Sequence, residues 1–216
     1  MKLNIRIVET EQFNQNAYLV WKDGSTEAVL IDPGFDTEGV EVHLAREKLR
    51  LVAILNTHGH VDHIAGNAAM KAQHPAARLV IGHGDEIMLS DPTANLSAKW
   101  GFHIVSPPAD QLVREGDALD FAGITWEVRE IPGHSPGHVV YLVRLPNSVL
   151  VFGGDVLFAG GVGRTDFPGG NFPQLASGIR AKLYTLPDNT RVLPGHGPST
   201  TVGEEKRSNS FVSAGA

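Results

Sequence analysis

The sequence contains no cysteine. Disulfides, thiolate zinc ribbons and thiol nucleophiles are therefore excluded, and any metal chemistry must rest on His, Asp and Glu. Long apolar runs are also missing: none approaches the roughly 18 residues that a membrane-spanning helix needs, so no membrane partner is expected. Nor is there a Lys- or Arg-rich stretch, and 18 basic against 24 acidic side chains leave a formal net charge of −6. A phosphate backbone would meet an unfavourable surface, so nucleic acid is not an expected partner either. The N-terminal residues Met1 to Val8 alternate apolar and polar side chains. That pattern predicts a first β-strand, not the charged head and apolar stretch of a secretory signal, and the expectation is a cytoplasmic protein.

What is present is enough for one domain spanning residues 1–216, because 42% of the side chains are hydrophobic and can fill a sizeable core. Apolar runs bounded by turn residues recur at 16–21, 27–32, 51–56, 78–82, 117–121, 124–131, 139–145 and 148–153. Most are rich in Val, Ile, Leu or aromatics and predict strands. Helical spacing is rarer. Val40, Leu44 and Leu49 follow the capping pair Asp36-Thr37, and residues 64–74 are Ala-rich and stop at Pro75. Phe172, Leu175, Ile179 and Leu183 predict one face of a third helix, ended by Pro187. The order is α/β with largely antiparallel sheets.

Gly and Pro gather at 32–34, 58–66, 132–137, 153–170 and 194–198. Each cluster follows a strand-like run, and four of the five hold a His or Asp able to bind metal. Loops of this kind on a rigid scaffold build active sites.

The densest is Thr57-His58-Gly59-His60-Val61-Asp62-His63. Any one histidine in isolation is more readily a structural residue, and His43, His74 and His103 are taken as such. Core packing, however, does not call for three imidazoles and a carboxylate in one glycine-containing turn. So many ligands crowd a single tetrahedral ion. Two ions relieve the crowding, with His58 and His60 facing one and Asp62 and His63 the other. Three later turns, Pro132-Gly133-His134, Gly153-Gly154-Asp155 and Pro194-Gly195-His196, each add a ligand-type residue just beyond a strand. Imidazole and carboxylate without thiolate suit two divalent ions, zinc foremost, with iron or manganese also compatible, and disfavour calcium or magnesium.

These motifs, with Leu30-Ile31-Asp32-Pro33-Gly34 upstream, resemble the metallo-β-lactamase superfamily over nearly the whole chain. The resemblance implies a four-layer αββα sandwich with the metals in a cleft at one edge. Within the superfamily the chain looks like the short glyoxalase II-like hydrolases, through Pro132-Gly133-His134-Ser135-Pro136-Gly137-His138 and Gly163-Arg164-Thr165-Asp166. By that resemblance His58, His60 and His134 bind metal one, Asp62, His63 and His196 bind metal two, and Asp155 bridges both. Full-length glyoxalase II enzymes carry a further C-terminal helical domain that contacts glutathione. This sequence ends soon after Phe211, with Ser210 where the family has proline in Asn-Pro-Phe, so weak action on glutathione thioesters is expected.

The implied substrate is a small-molecule thioester or related acyl compound, attacked by water that the two cations acidify to a pKa of about 7. Asp62 and Asp155 are the candidate catalytic carboxylates. No G-x-S-x-G elbow competes with this chemistry. Asp32, at a strand end, is expected to orient the ligand loop from behind. His138 is expected to be a structural hydrogen-bonding group, and His83 to open a helix with Asp85-Glu86 in its first turn. Arg164 is a candidate clamp for a substrate carboxylate, weighed against a salt bridge to Asp166. Tyr141 is also named as a candidate substrate contact, weighed against a place in the core.

Three other activities resemble this pattern less well. A persulfide dioxygenase of the same fold shares Gly163-Arg164-Thr165-Asp166-Phe167 and would hold one iron on His58, His134 and Asp155. A β-lactamase would be exported and generally lacks a bridging aspartate. A nuclease is disfavoured by the negative charge.

Overall fold

The computed structural model describes residues 2–213 of the chain. Met1 lies outside the described residues, but the alternation that follows it does form a strand. The first sheet runs β1 (Leu3–Glu9), β2 (Asn16–Lys22), β3 (Glu27–Ile31), β4 (Arg50–Leu55), β5 (Arg78–Gly82) and β6 (Gln111–Val113), in that spatial order. The second contains β7 (Ala118–Phe121), β8 (Ile124–Glu130), β9 (Val139–Leu145), β10 (Ser148–Gly154), β13 (Arg191–Pro194) and β14 (Thr200–Thr201), ordered β14-β13-β10-β9-β8-β7. A small hairpin, β11 (Leu157–Phe158) with β12 (Gly161–Val162), stands apart.

Strand periodicity sorts the side chains into four layers. Along β2, Tyr18 and Val20 enter a core shared with Trp126, Tyr141 and Phe152 of the second sheet. Leu19 and Trp21 point the other way, against Val40, Leu44 and Met70 of the helices covering the first sheet. Val140, Leu142 and Val151 meet Leu175, Ile179 and Leu183 on the far face of the second sheet. This is the αββα arrangement. Fully burying each such side chain contributes about 2 kcal/mol.

Helix α1 (Thr37–Glu47) begins where expected: Asp36 accepts a hydrogen bond from the Gly39 amide at 2.9 Å, and Lys48 closes the last turn in a left-handed conformation. The Ala-rich segment differs from its prediction. It forms two short helices, α2 (Val61–Ile64) and α3 (Asn67–Gln73), separated at Ala65-Gly66. Gly66 is pressed against Gly34 and Pro33, where a Cβ would overlap backbone, and its amide donates to Pro33 O at 2.9 Å. The third predicted helix is α4 (Phe172–Gly178), continued by a wider turn over Ile179–Leu183. Leu175, Ile179 and Leu183 are buried, but Phe172 is exposed at the start. A last helix, α5 (Val202–Ser208), follows β14.

The sheets are less antiparallel than predicted. Pairs β3–β4, β4–β5 and β5–β6 are parallel, as is β10–β13. The connections explain it, because a crossover that carries a helix returns the chain to the same end of the sheet. This geometry matters for the site. Strands β3, β4, β8, β10 and β13 all run out towards one edge, and just beyond them lie Asp32, after β3, and the predicted ligands, after the other four.

Candidate metal centre

All seven predicted ligands meet at that edge, and their donor atoms fall into two outer groups, His58, His60 and His134 and Asp62, His63 and His196, joined by a third made of His58, His63 and Asp155. His134 Nε2 lies 2.9 Å from His60 Nδ1 and 3.2 Å from His58 Nε2. Asp62 Oδ2 lies 3.2 Å from His196 Nε2 and 3.7 Å from His63 Nε2. Asp155 stands between the groups, with Oδ1 3.4 Å from His63 Nε2 and Oδ2 3.5 Å from both His134 Nε2 and His196 Nε2. Donors bound about 2.1 Å from a tetrahedral ion are roughly 3.4 Å apart, and these separations bracket that value.

The outer nitrogens decide which imidazole atoms are lone pairs. His63 Nδ1 lies 3.0 Å from Asp32 Oδ2, His134 Nδ1 2.8 Å from Arg164 O, and His196 Nδ1 3.0 Å from Phe13 O. Each of those oxygens accepts, so in the neutral ring the proton sits on Nδ1 and Nε2 is left bare towards the centre. The Thr57 hydroxyl donates to Asp32 Oδ2 at 2.7 Å and therefore accepts from His58 Nδ1 at 3.1 Å, which fixes His58 the same way. His60 is reversed and offers Nδ1. Bare imidazole nitrogens turned on one another inside a protein need a cation between them. His63 Nε2 and Asp155 Oδ1 are buried without any hydrogen-bond partner, which is the same signature. The donor set fits two divalent ions.

Charge follows this arrangement. Burial, reinforced by the surrounding imidazoles, drives His58 well below its ordinary pKa, and burial and His134 bring His60 down to about 3. Burial alone would also depress His63, but Asp62, Asp155 and Asp32 outweigh it and hold His63 well above the usual range. His196 is raised too, because Asp155 and Asp62 outweigh its burial. Asp155 is buried, yet His63, His196 and His134 hold its carboxyl far below the usual range.

Local backbone explains the precision. Asp32 takes a left-handed φ of 50°, a conformation Asp tolerates better than most residues. Its Oδ1 accepts the Thr57 amide at 2.7 Å while Oδ2 takes the Thr57 hydroxyl and His63. One carboxylate thus orients both ends of the ligand turn, as a supporting carboxylate should. Gly195 is required next to His196, because a Cβ there would overlap Asp155 Oδ1 and His63 Cε1.

His138 is no ligand: its Nε2 accepts the Asp155 amide at 3.0 Å, and its ring stacks on His58. His83 opens a 3-10 turn over His83–Leu89. His74 pairs with Glu41 at 2.7 Å, away from the site. Lys206 is bound to Asp188 at 2.8 Å on α5. Tyr141 needs correction as a substrate contact. It is fully buried between the sheets, and its hydroxyl donates to Asn56 O at 2.9 Å. An inward position of a central strand cannot reach the cleft. Arg164 does line the cleft, but its guanidinium grips Asp166 with bonds of 2.7 and 2.6 Å and lies over the Phe167 ring.

Sequence reasoning missed Asp85. This fully buried carboxylate accepts the Gly59 amide at 3.0 Å, the Ser135 hydroxyl at 2.6 Å and the Gly137 amide at 2.6 Å. It ties the 58–63 turn to the 132–138 turn. Burial raises its pKa against those three bonds. Its partners are 26 to 52 residues away, so no local signal could have found it. The cleft walls were missed as well. A cavity of about 340 Å³ opens over the centre, walled largely by apolar side chains from distant loops.

The fold and this centre define a metallo-hydrolase type of protein. The sequence profile of the metallo-beta-lactamase superfamily matches residues 10–196, and the chain belongs to that superfamily. It is 36% identical over 214 residues to "Hydroxyacylglutathione hydrolase GloC" of Haemophilus influenzae, covering 98% of this chain and 99% of that protein. Among solved structures it is similar to BLEG-1, a B3 metallo-beta-lactamase, with TM-score 0.90, 36% identity, and 97% and 99% of the two chains covered. TTHA1623 in a di-iron-bound form gives TM-score 0.80 at 37% identity, covering 95% of this chain and 99% of that one. ETHE1 from Myxococcus xanthus gives 0.80 at 29%, covering 99% and 86%. No helix among the described residues is long and apolar enough to cross a membrane.

Proposed function

We propose that the protein is a two-metal hydrolase of thioesters or related acyl compounds, similar in activity to glyoxalase II, and that it works in the cytoplasm. The observation that carries this is Asp155, whose two oxygens face both imidazole groups. The similarity to a hydroxyacylglutathione hydrolase matched over 99% of its length supports it. Zinc is the first choice of metal, and the di-iron neighbour keeps iron in view.

The two ions, when bound, would supply an acidified water and polarisation of the acyl carbonyl. The chain's own residues do the rest. His58, His60 and His134 would hold the first ion, Asp62, His63 and His196 the second, with Asp155 shared. Asp62, whose Oδ2 faces His196 and His63 and which lines the cleft, would take the proton of the attacking water. The water oxygen bonds to the acyl carbon, the C–S bond breaks, and the proton passes to the departing thiolate. Apolar walls would border the reacting carbonyl.

A second assignment rests on the ETHE1 similarity and on Gly163-Arg164-Thr165-Asp166-Phe167: an iron persulfide dioxygenase using His58, His134 and Asp155. The discriminating experiment measures thiol release from S-lactoylglutathione under strict anaerobiosis with zinc-loaded protein. Hydrolysis without oxygen supports the hydrolase, because zinc has no redox chemistry. Oxygen uptake driven by glutathione persulfide, with no thioester cleaved, would establish the dioxygenase instead. Opening of a β-lactam in preference to every thioester would move the assignment to a lactamase.

A further inference from the structure

Apart from ligand candidates, every residue lining the cavity is apolar except Arg164. Phe13, Leu96 and Trp100 come from two loops, Phe158 and Val162 from the β11–β12 hairpin, and Phe167 from the loop beyond it. The Phe13 ring packs on Phe35 at 5.9 Å and edge-on to Trp100 at 5.7 Å, and Phe35 meets Phe102 at 5.4 Å. These rings form a continuous aromatic shelf that begins at the metal centre. Trp100 and Phe102 remain 48% and 39% exposed, so the shelf is not filled by the protein itself.

The one charge in the lining is already matched. Arg164 is held two-pronged by Asp166, and Lys99, near the Phe167 ring at 4.6 Å, does not line the cavity.

Backbone conformation gives an independent sign. Among the described residues, six non-glycine positions have left-handed φ, and two of them carry bulky apolar side chains: Phe13 at 67° and Leu96 at 70°. Both line the cavity. A bulky side chain costs about 1–2 kcal/mol there, a cost absent for glycine and smaller for asparagine. The fold carries strain at two separate loops, and at both it holds an apolar side chain in the cleft wall.

We infer that the cleft selects the acyl half of its substrate, and that it takes a bulky apolar acyl group, aliphatic or aromatic, in preference to a small hydroxylated one. This rests on the thioester-hydrolase assignment and names its substrate class. The acyl carbonyl sits at the metal centre, and the chain attached to it lies along the Phe13–Trp100 shelf. Burial of each added methylene favours the transition state about fourfold.

The test uses one uncharged thiol, N-acetylcysteamine, esterified with acetyl, lactoyl, butyryl, hexanoyl and phenylacetyl groups. For the metal-loaded protein kcat/KM should rise about fourfold per methylene from acetyl to hexanoyl, with lactoyl well below butyryl. Trp100→Ala should flatten that rise, cutting the hexanoyl-to-acetyl ratio by about tenfold. Phe13→Asn, which keeps a residue tolerant of the left-handed turn, should do the same. Binding is read separately, without turnover, from quenching of Trp100 emission by the S-hexyl thioether of the same thiol. Trp21 and Trp126 are buried, so Trp100 is the tryptophan that reports. Equal kcat/KM across the acyl series, or a rise untouched by Trp100→Ala, would overturn the inference and leave the hydrolase standing. If no thioester is cleaved, the hydrolase assignment falls, and the quenching still decides the shelf: saturable quenching that Phe13→Asn, which keeps Trp100 as the reporter, weakens about tenfold supports it, and no binding, or binding that Phe13→Asn leaves unchanged, overturns it.

Discussion

Asp32 Oδ2 lies 3.0 Å from His63 Nδ1, and through that bond the end of one strand sets the ring of a candidate ligand beyond the next strand. The carboxylate is buried and never reaches the cleft. Its effect must therefore be read in metal affinity. Asp32→Ala should weaken loading by about 10- to 100-fold, as loss of a supporting carboxylate does. Competition with a chromophoric chelator would measure it, and affinity within about twofold of the parent would contradict the role.

The sign of the pH dependence follows from the raised pKa values. His63 and His196 are held above 6.5 by their carboxylates, so between that value and their own they are protonated in the folded chain. Binding an ion must expel those protons. Affinity should therefore rise with pH from 6.5 upward, by up to two decades per pH unit, and level off above the folded-state pKa values. His58 and His60 add no slope there, because their pKa values are depressed and both are already neutral. An affinity that stays flat between pH 6.5 and 8 would contradict this.

Asp85 joins two ligand turns without touching a ligand donor atom. Asp85→Ala leaves two buried amides and a buried hydroxyl without their acceptor, at about 1–3 kcal/mol each, so a loss of about 3 kcal/mol or more is expected. Thermal unfolding of the metal-free protein is the measurement. Asp85→Asn, which keeps one acceptor oxygen, should recover part of the loss.

That residue also marks where the sequence ceases to be legible. Local pattern carried the ligand motifs, because four ligand-type residues within six positions have no packing explanation, and it carried the long strands. Strands β6, β13 and β14 have four residues or fewer, too short for an alternation to register. Parallel pairing of β3 with β4 was within reach, since helix α1 lies between them and a tight hairpin is excluded. Asp85, the Phe13 carbonyl behind His196 and the aromatic shelf depend on contacts between distant loops, which no window of sequence contains. Tyr141, named as a candidate substrate contact against a place in the core, takes the core place, on the inward face it shares with its neighbours Val139 and Val143.

Arg164 serves the centre through its backbone, since its carbonyl accepts from His134 Nδ1 at 2.8 Å while its guanidinium holds Asp166. Arg164→Lys keeps the charge and loses the two-pronged grip. Turnover of anionic and neutral thioesters should fall by the same factor, within about twofold. A loss confined to anionic substrates would show instead that the guanidinium binds substrate.

The most direct measurement is the number of ions bound by the fully loaded protein, read by native mass spectrometry beside His196→Ala and Asp155→Ala. His196 Nε2 faces Asp62 and Asp155, so in the proposed centre it would hold one ion alone. Two ions per chain are predicted for the parent, one for His196→Ala with most of the activity lost, and at most one for Asp155→Ala. A parent that saturates with a single ion, and keeps it with full activity in His196→Ala, would contradict the two-metal centre.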